Sequence, residues 1–143
     1  MIEVLVVGDS GVGKSALITT FQTNKFPVEF VLVCFNTPPL TLLTVDKHKF
    51  YITASELSPL HPLRKEYYLR AQVVLICFAL DSAESFEHAK HEWYKEVKRE
   101  EVESVILLGT KADLLPLNFE AAYLRAIFLH VFVVFQFEHW FTH

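Results

Sequence analysis

Glycine is nearly absent from most of this chain: there are four in 143 residues, at positions 8, 11, 13 and 109. The interval between Gly13 and Gly109 therefore holds no loop that depends on glycine's free φ, or on a backbone N–H with no side chain beside it. Aspartate is missing over part of the same interval, between Asp46 and Asp81. Cysteine is also scarce. Cys34 and Cys77 lie in apolar surroundings with no Cys-x-x-Cys spacing, which reads as two reduced thiols, with Cys77 packed in a strand. The formal charge of −4 comes with no basic cluster, which argues against nucleic acid as a partner. The opening Met-Ile-Glu-Val carries no signal-peptide pattern, and the closing Phe-Thr-His is not a prenylation motif. The longest uncharged stretch of the tail, 126–137, falls short of the roughly 18–20 residues a transmembrane segment needs. A cytoplasmic protein is expected.

What is plentiful is apolar. Hydrophobic residues make up 52% of the chain and thirteen are phenylalanine, enough for one domain with a substantial core. Apolar runs alternate with helical patterns. Residues 2–7 read as a strand, broken only by Glu3, and a helix-competent stretch follows from Ala16. Residues 40–45 and 49–53 read as two strands joined by a turn at 46–48. Residues 73–80 (VVLICFAL) are continuously apolar, as a parallel strand covered on both faces should be. Asp81 and Glu84 form a capping pair for a helix in which Phe86, Ala89, Trp93 and Val97 recur at helical spacing. A strand at 104–108, a weaker helix at 118–128 and a last strand at 131–137 complete the pattern. No repeat, low-complexity tract or linker interrupts it. The fold class is therefore α/β, with a right-handed, mostly parallel central sheet and helices on both faces.

Residues 8–15 read GDSGVGKS, which fits G-x-x-x-x-G-K-[ST] between a strand and a helix. Physically this is a phosphate cradle. Backbone N–H groups of Gly11, Val12, Gly13, Lys14 and Ser15 can turn inward around an anion, and the helix start adds its partial positive charge. Lys14 supplies a point charge to the terminal phosphates, and the Ser15 hydroxyl a ligand for Mg²⁺.

A second motif, Thr110-Lys111-Ala112-Asp113, follows the 104–108 strand. A carboxylate there can accept two hydrogen bonds from N1–H and N2–H₂ of guanine. Adenine offers no such donor pair and would leave the acceptor unpaired. The Lys111 stem can lie over the purine ring. Both motifs fall beyond the carboxyl ends of strands, where open α/β sheets bind ligands.

On these two motifs the chain resembles the Ras-superfamily small GTPases from residue 1 to about 117. GDSGVGKSAL looks like the Rab branch, while Leu63-Arg64 and residues 73–114, including CFALDSAESFEHAKHEWYKEV and VILLGTKADL, look like the Rho/Rac branch. The resemblance implies a P-loop three-layer domain that binds GTP or GDP with Mg²⁺. It assigns phosphate to Gly11, Val12, Gly13, Lys14 and Ser15, the metal to Ser15, and guanine to Thr110, Lys111 and Asp113. It also implies protein effectors, over about 27–45, and exchange or activating factors. The expected organisation is a single G domain over 1–143, with 118–143 diverging from the family.

Four features depart from the family's pattern. Its Asp-x-x-Gly element has no counterpart in any register, and the matching segment reads Thr53-Ala-Ser-Glu-Leu-Ser-Pro, with Glu56 the only carboxylate nearby. The water-positioning Gln after that element is missing; Leu57, Ser58, Pro59, Leu60 and His61 follow instead, and His61 is the one side chain there able to orient water. No Pro-Thr stands at the switch position, where Leu32-Val33 fall, with Thr37, Thr41 and Thr44 nearby but out of pattern. The chain also stops where a final helix should follow, so the expected domain lacks it and leaves apolar sheet surface uncovered. Two readings follow: a GTP/GDP-binding switch with weak or absent hydrolysis, or a pseudo-GTPase interaction module, or truncated gene product, that keeps the fold without nucleotide cycling.

Overall fold

The structure is a computed structural model and describes residues 1–27, 40–58, 60–102 and 104–111. Five strands form one sheet: β1 (Ile2–Gly8), β2 (Leu40–Val45), β3 (His48–Glu56), β4 (Val73–Ala79) and β5 (Ser104–Thr110), in the spatial order β2-β3-β1-β4-β5. Only the β2–β3 pair is antiparallel. Its two-residue turn places Asp46 and Lys47 at φ 47° and 68°, the left-handed geometry that matches the twist of a tight hairpin.

The helical elements are α1 (Lys14–Thr23), α2 (Arg64–Arg70), α3 (Ala83–His88) and α4 (Tyr94–Arg99), with a π-helical segment, Ala89–Trp93, joining the last two. Side-chain alternation along the strands divides the core into two layers. Leu5, Val7, Val74, Ile76 and Phe78 face Tyr68 of α2 and Phe86, Ala89, Trp93 and Val97 of the α3–α4 run. Val6, Cys77, Ala79 and Leu108 face Ile18 of α1. Both faces of β1 and β4 are thus covered. That explains why residues 73–79 are apolar without interruption, as expected.

The sheet is mixed α/β, mostly parallel and three-layered, in agreement with the sequence pattern. Three details differ. First, α2 had no clear periodic signal. Second, the cap of α3 lies one residue later than the expected Asp81–Glu84 pair: Ser82 is the N-cap, its hydroxyl accepting from the Ser85 N–H at 3.2 Å. Ser is as good an acceptor there as Asp. Third, α1 begins at Lys14, two residues before the expected start. The expectations for Cys34, Thr37, Asp113, the 118–128 helix, the 131–137 strand and the missing final helix lie outside the described residues.

Candidate functional site

The order β2-β3-β1-β4-β5 makes β1 the strand about which the chain reverses direction, and the loop leaving its carboxyl end is GDSGVGKS. Gly8 pairs with Cys77 at φ 146°, and a Cβ there would stand 2.3 Å from the Cys77 carbonyl oxygen. No other residue fits. Gly13 caps α1 at φ 99°, the left-handed turn that brings the loop back onto the helix start. Gly11 is exposed, whereas Val12 is buried beside Ile18 and Ala79, anchoring the loop to the core. The first turn of α1, from Lys14, leaves N–H groups without intrahelical acceptors.

Lys14 is 5% exposed. Its ammonium donates to the carbonyls of Gly8 at 2.9 Å and Asp9 at 2.7 Å. Burial pulls its pKa below the ordinary lysine value, and the Glu56 carboxylate opposes that shift. The Ser15 hydroxyl donates to Glu56 Oε2, while Glu56 Oε1 lies 3.8 Å from Lys14 Nζ. Glu56 reaches this place through sheet register. It pairs with Val6 at the end of β3, on the same strand face as Ala54, which packs in the α1 layer. Leu57, the next residue, turns the other way. It is fully buried in the opposite layer, and its N–H donates to the Val6 carbonyl at 3.1 Å.

The residue directly after Glu56 is thus an apolar core residue. His61 is engaged within its own loop. Its Nδ1 accepts from the Leu63 N–H at 3.1 Å, and its ring meets Tyr67 edge-on at 5.1 Å.

Thr110, at the end of β5, is also buried. Its hydroxyl donates to the Val12 carbonyl and lies 3.0 Å from the Phe78 carbonyl. This side chain therefore ties β5 to the phosphate loop. Lys111 follows, half-buried at φ 59°, and Asp113 lies beyond the described residues.

Sequence reasoning missed the outer brace of the loop. Asp9 Oδ2 lies 2.6 Å from His88 Nδ1, and Asp9 Oδ1 accepts from the Trp93 indole at 2.8 Å. The hydrogen bond to Asp9 raises the His88 pKa. In a regular α-helix, residues five apart point about 140° away from each other. The π segment closes an i→i+5 turn, from the Tyr94 N–H to the Ala89 carbonyl, and so lets positions 88 and 93 address one carboxylate. The Arg64 guanidinium lies over the Trp93 ring, 5.5 Å from its centroid. Arg64 also pairs with Glu96 and donates to the Ser58 carbonyl at 2.7 Å.

The donor set suits the groups the motif calls for. A buried ammonium at a helix start suits phosphate, and a hydroxyl with a carboxylate beside it is the hard-oxygen pair that Mg²⁺ takes. Fold and loop together define a P-loop nucleotide-binding α/β domain. The Ras family model matches residues 3–123, and the chain belongs to the Ras family: it is a small-GTPase-like, GTP-binding domain. Domains of this family bind GTP and GDP with Mg²⁺ and engage protein effectors and regulators. Among the described residues, no helix is long and apolar enough to cross a membrane.

Proposed function

We propose that this chain is a guanine-nucleotide-binding signalling switch that holds GDP or GTP with Mg²⁺ and hydrolyses GTP weakly or not at all. The observation that carries this reading is the Lys14 ammonium, buried on the carbonyls of its own loop at the start of α1. Packing alone does not call for a charge there, since a buried lysine costs stability unless it serves a ligand.

The backbone from Gly11 through Val12 and Gly13 to Lys14 and Ser15 cradles the phosphates. Lys14 neutralises their terminal charge, and the Ser15 hydroxyl offers an oxygen ligand to the metal. When bound, Mg²⁺ offsets charge on the terminal phosphates. Lys111 and Asp113 select guanine, and Thr110 holds that segment against the loop. The reading of weak hydrolysis is supported by the buried, apolar Leu57, which cannot orient an attacking water at the position directly after β3.

In this reading the chain is a single G domain over 1–143, with 118–143 diverging from the family. It is Rho/Rac-like in its central segments and Rab-like in its phosphate loop, cytoplasmic, and engaged by effectors over about 27–45 and by exchange or activating factors. Leu57 also favours a second reading, a pseudo-GTPase interaction module that keeps the fold without cycling.

The test is a titration of fluorescent GDP with Mg²⁺, with competition by GTP and ATP, alongside single-turnover phosphate release. The expected result is saturable binding displaced by GTP and not by ATP, abolished by Lys14→Ala and by Asp113→Ala, with negligible phosphate release. Displacement by ATP as readily as by GTP would remove the guanine assignment. Multiple-turnover release, lost in Lys14→Ala, would remove the claim of weak hydrolysis and the second reading with it.

A further inference from the structure

The residue least accounted for by the phosphate-loop reading is Glu56. Its carboxylate is anionic, yet it rests on Lys14 and Ser15, the two side chains a phosphate loop offers to the terminal phosphate and its metal. The contact is built in. Pairing with Val6 holds the Glu56 backbone, and the Leu57 N–H on the Val6 carbonyl holds the next residue. Burial of Leu57 in the opposite layer prevents the strand end from rolling over. The carboxylate itself is only partly exposed, at 31%, so its charge is incompletely screened by water. The contact is made with the two side chains, Lys14 and Ser15, whereas the α- and β-phosphates of a nucleotide are cradled by the loop's backbone N–H groups.

We propose that Glu56 is a resident anion standing in for a third phosphate, and that it makes this site prefer a nucleoside diphosphate to a triphosphate. A diphosphate fills the backbone cradle and shares Lys14 with Glu56, which keeps its place on Ser15. The ligand and the protein then present together the set of anionic oxygens a triphosphate would present alone. A triphosphate must displace the carboxylate and leave it close by as a like charge. The same replacement gives the Ser15 hydroxyl a permanent acceptor, in a chain that lacks the family's glycine N–H for sensing the terminal phosphate. The proposal rests on the phosphate-loop reading and adds a nucleotide preference to it.

The experiment compares affinities for GDP and for a non-hydrolysable GTP analogue at saturating Mg²⁺, in the full chain and in Glu56→Gln and Glu56→Ala. Glu56→Gln keeps the size and an acceptor for Ser15, so a folded variant is secured even if the alanine is unstable. The native chain should favour GDP, and both variants should shift the GDP-to-analogue ratio toward the analogue by about tenfold or more. An unchanged ratio, or a shift toward GDP, overturns the proposal while leaving the phosphate-loop reading intact. Equal loss of affinity for both ligands also overturns it, and assigns the carboxylate to the metal alone. Failure of the native chain and both variants to bind either nucleotide overturns the phosphate-loop reading and the proposal together.

Discussion

The Trp93 indole N–H donates to Asp9 Oδ1 at 2.8 Å, joining the helical layer to the outer limb of the phosphate loop. The Arg64 guanidinium lies over the same indole and is anchored in turn to Ser58 just after β3. The ring therefore bonds the phosphate loop directly and reaches the segment after β3 through Arg64. Replacing it with phenylalanine keeps most of the buried apolar area and removes only the donor and part of the cation–π contact. Trp93→Phe should lower stability by about 1–2 kcal/mol, read as a shift in urea midpoint with unchanged slope. It should also weaken GDP binding, because Asp9 is then held by His88 alone.

His88 makes the same brace sensitive to pH. Its pKa is raised by the hydrogen bond to Asp9 and then by that carboxylate's charge, so the protonated form is favoured in the folded chain. The stabilisation is fully present below the ordinary histidine value of 6.5 and is lost as pH rises through the higher folded value. A series of urea midpoints across that window should fall with rising pH in the native chain. In His88→Ala that component of the slope should be missing. An identical slope in both proteins would assign the effect to other groups.

The buried Leu57 predicts that a glutamine at this position adds no hydrolysis. Leu57→Gln puts the family's residue type back, but its amide enters the layer formed by Leu5, Tyr68 and Val74. The substitution should cost about 2–4 kcal/mol of stability and leave phosphate release from GTP unchanged. A gain in turnover would show that the segment after β3 reorients on nucleotide binding.

Much of this was visible in the order of residues because the signals are local. Residues 40–45 form β2 as expected of a strand leading into a turn, and the uninterrupted run from Val73 is a two-sided strand because helices cover both faces. The phosphate loop is equally local, since its glycines, Lys14 and Ser15 are neighbours in sequence. Glu56 is different. It reaches Ser15 across 41 positions through strand register, and only the pairing with Val6 decides which face it takes. The Asp9 brace spans 79 and 84 positions and depends on a π turn that changes the helical spacing, for which the residue pattern carries no mark. Ser82 displaced Asp81 as the cap because either residue type can serve and only the chain path selects between them.

The central claim is that the loop around Lys14 holds guanine nucleotide, and thermal stabilisation by GDP tests it most directly. With Mg²⁺ present and GDP near one hundred times its Kd, mass action should add about 2.7 kcal/mol to the folded state. The Tm of the native chain should therefore climb with GDP concentration, while Lys14→Ala should show no such rise and ATP should not reproduce it. A Tm unmoved by GDP, or raised equally in Lys14→Ala, would contradict the account.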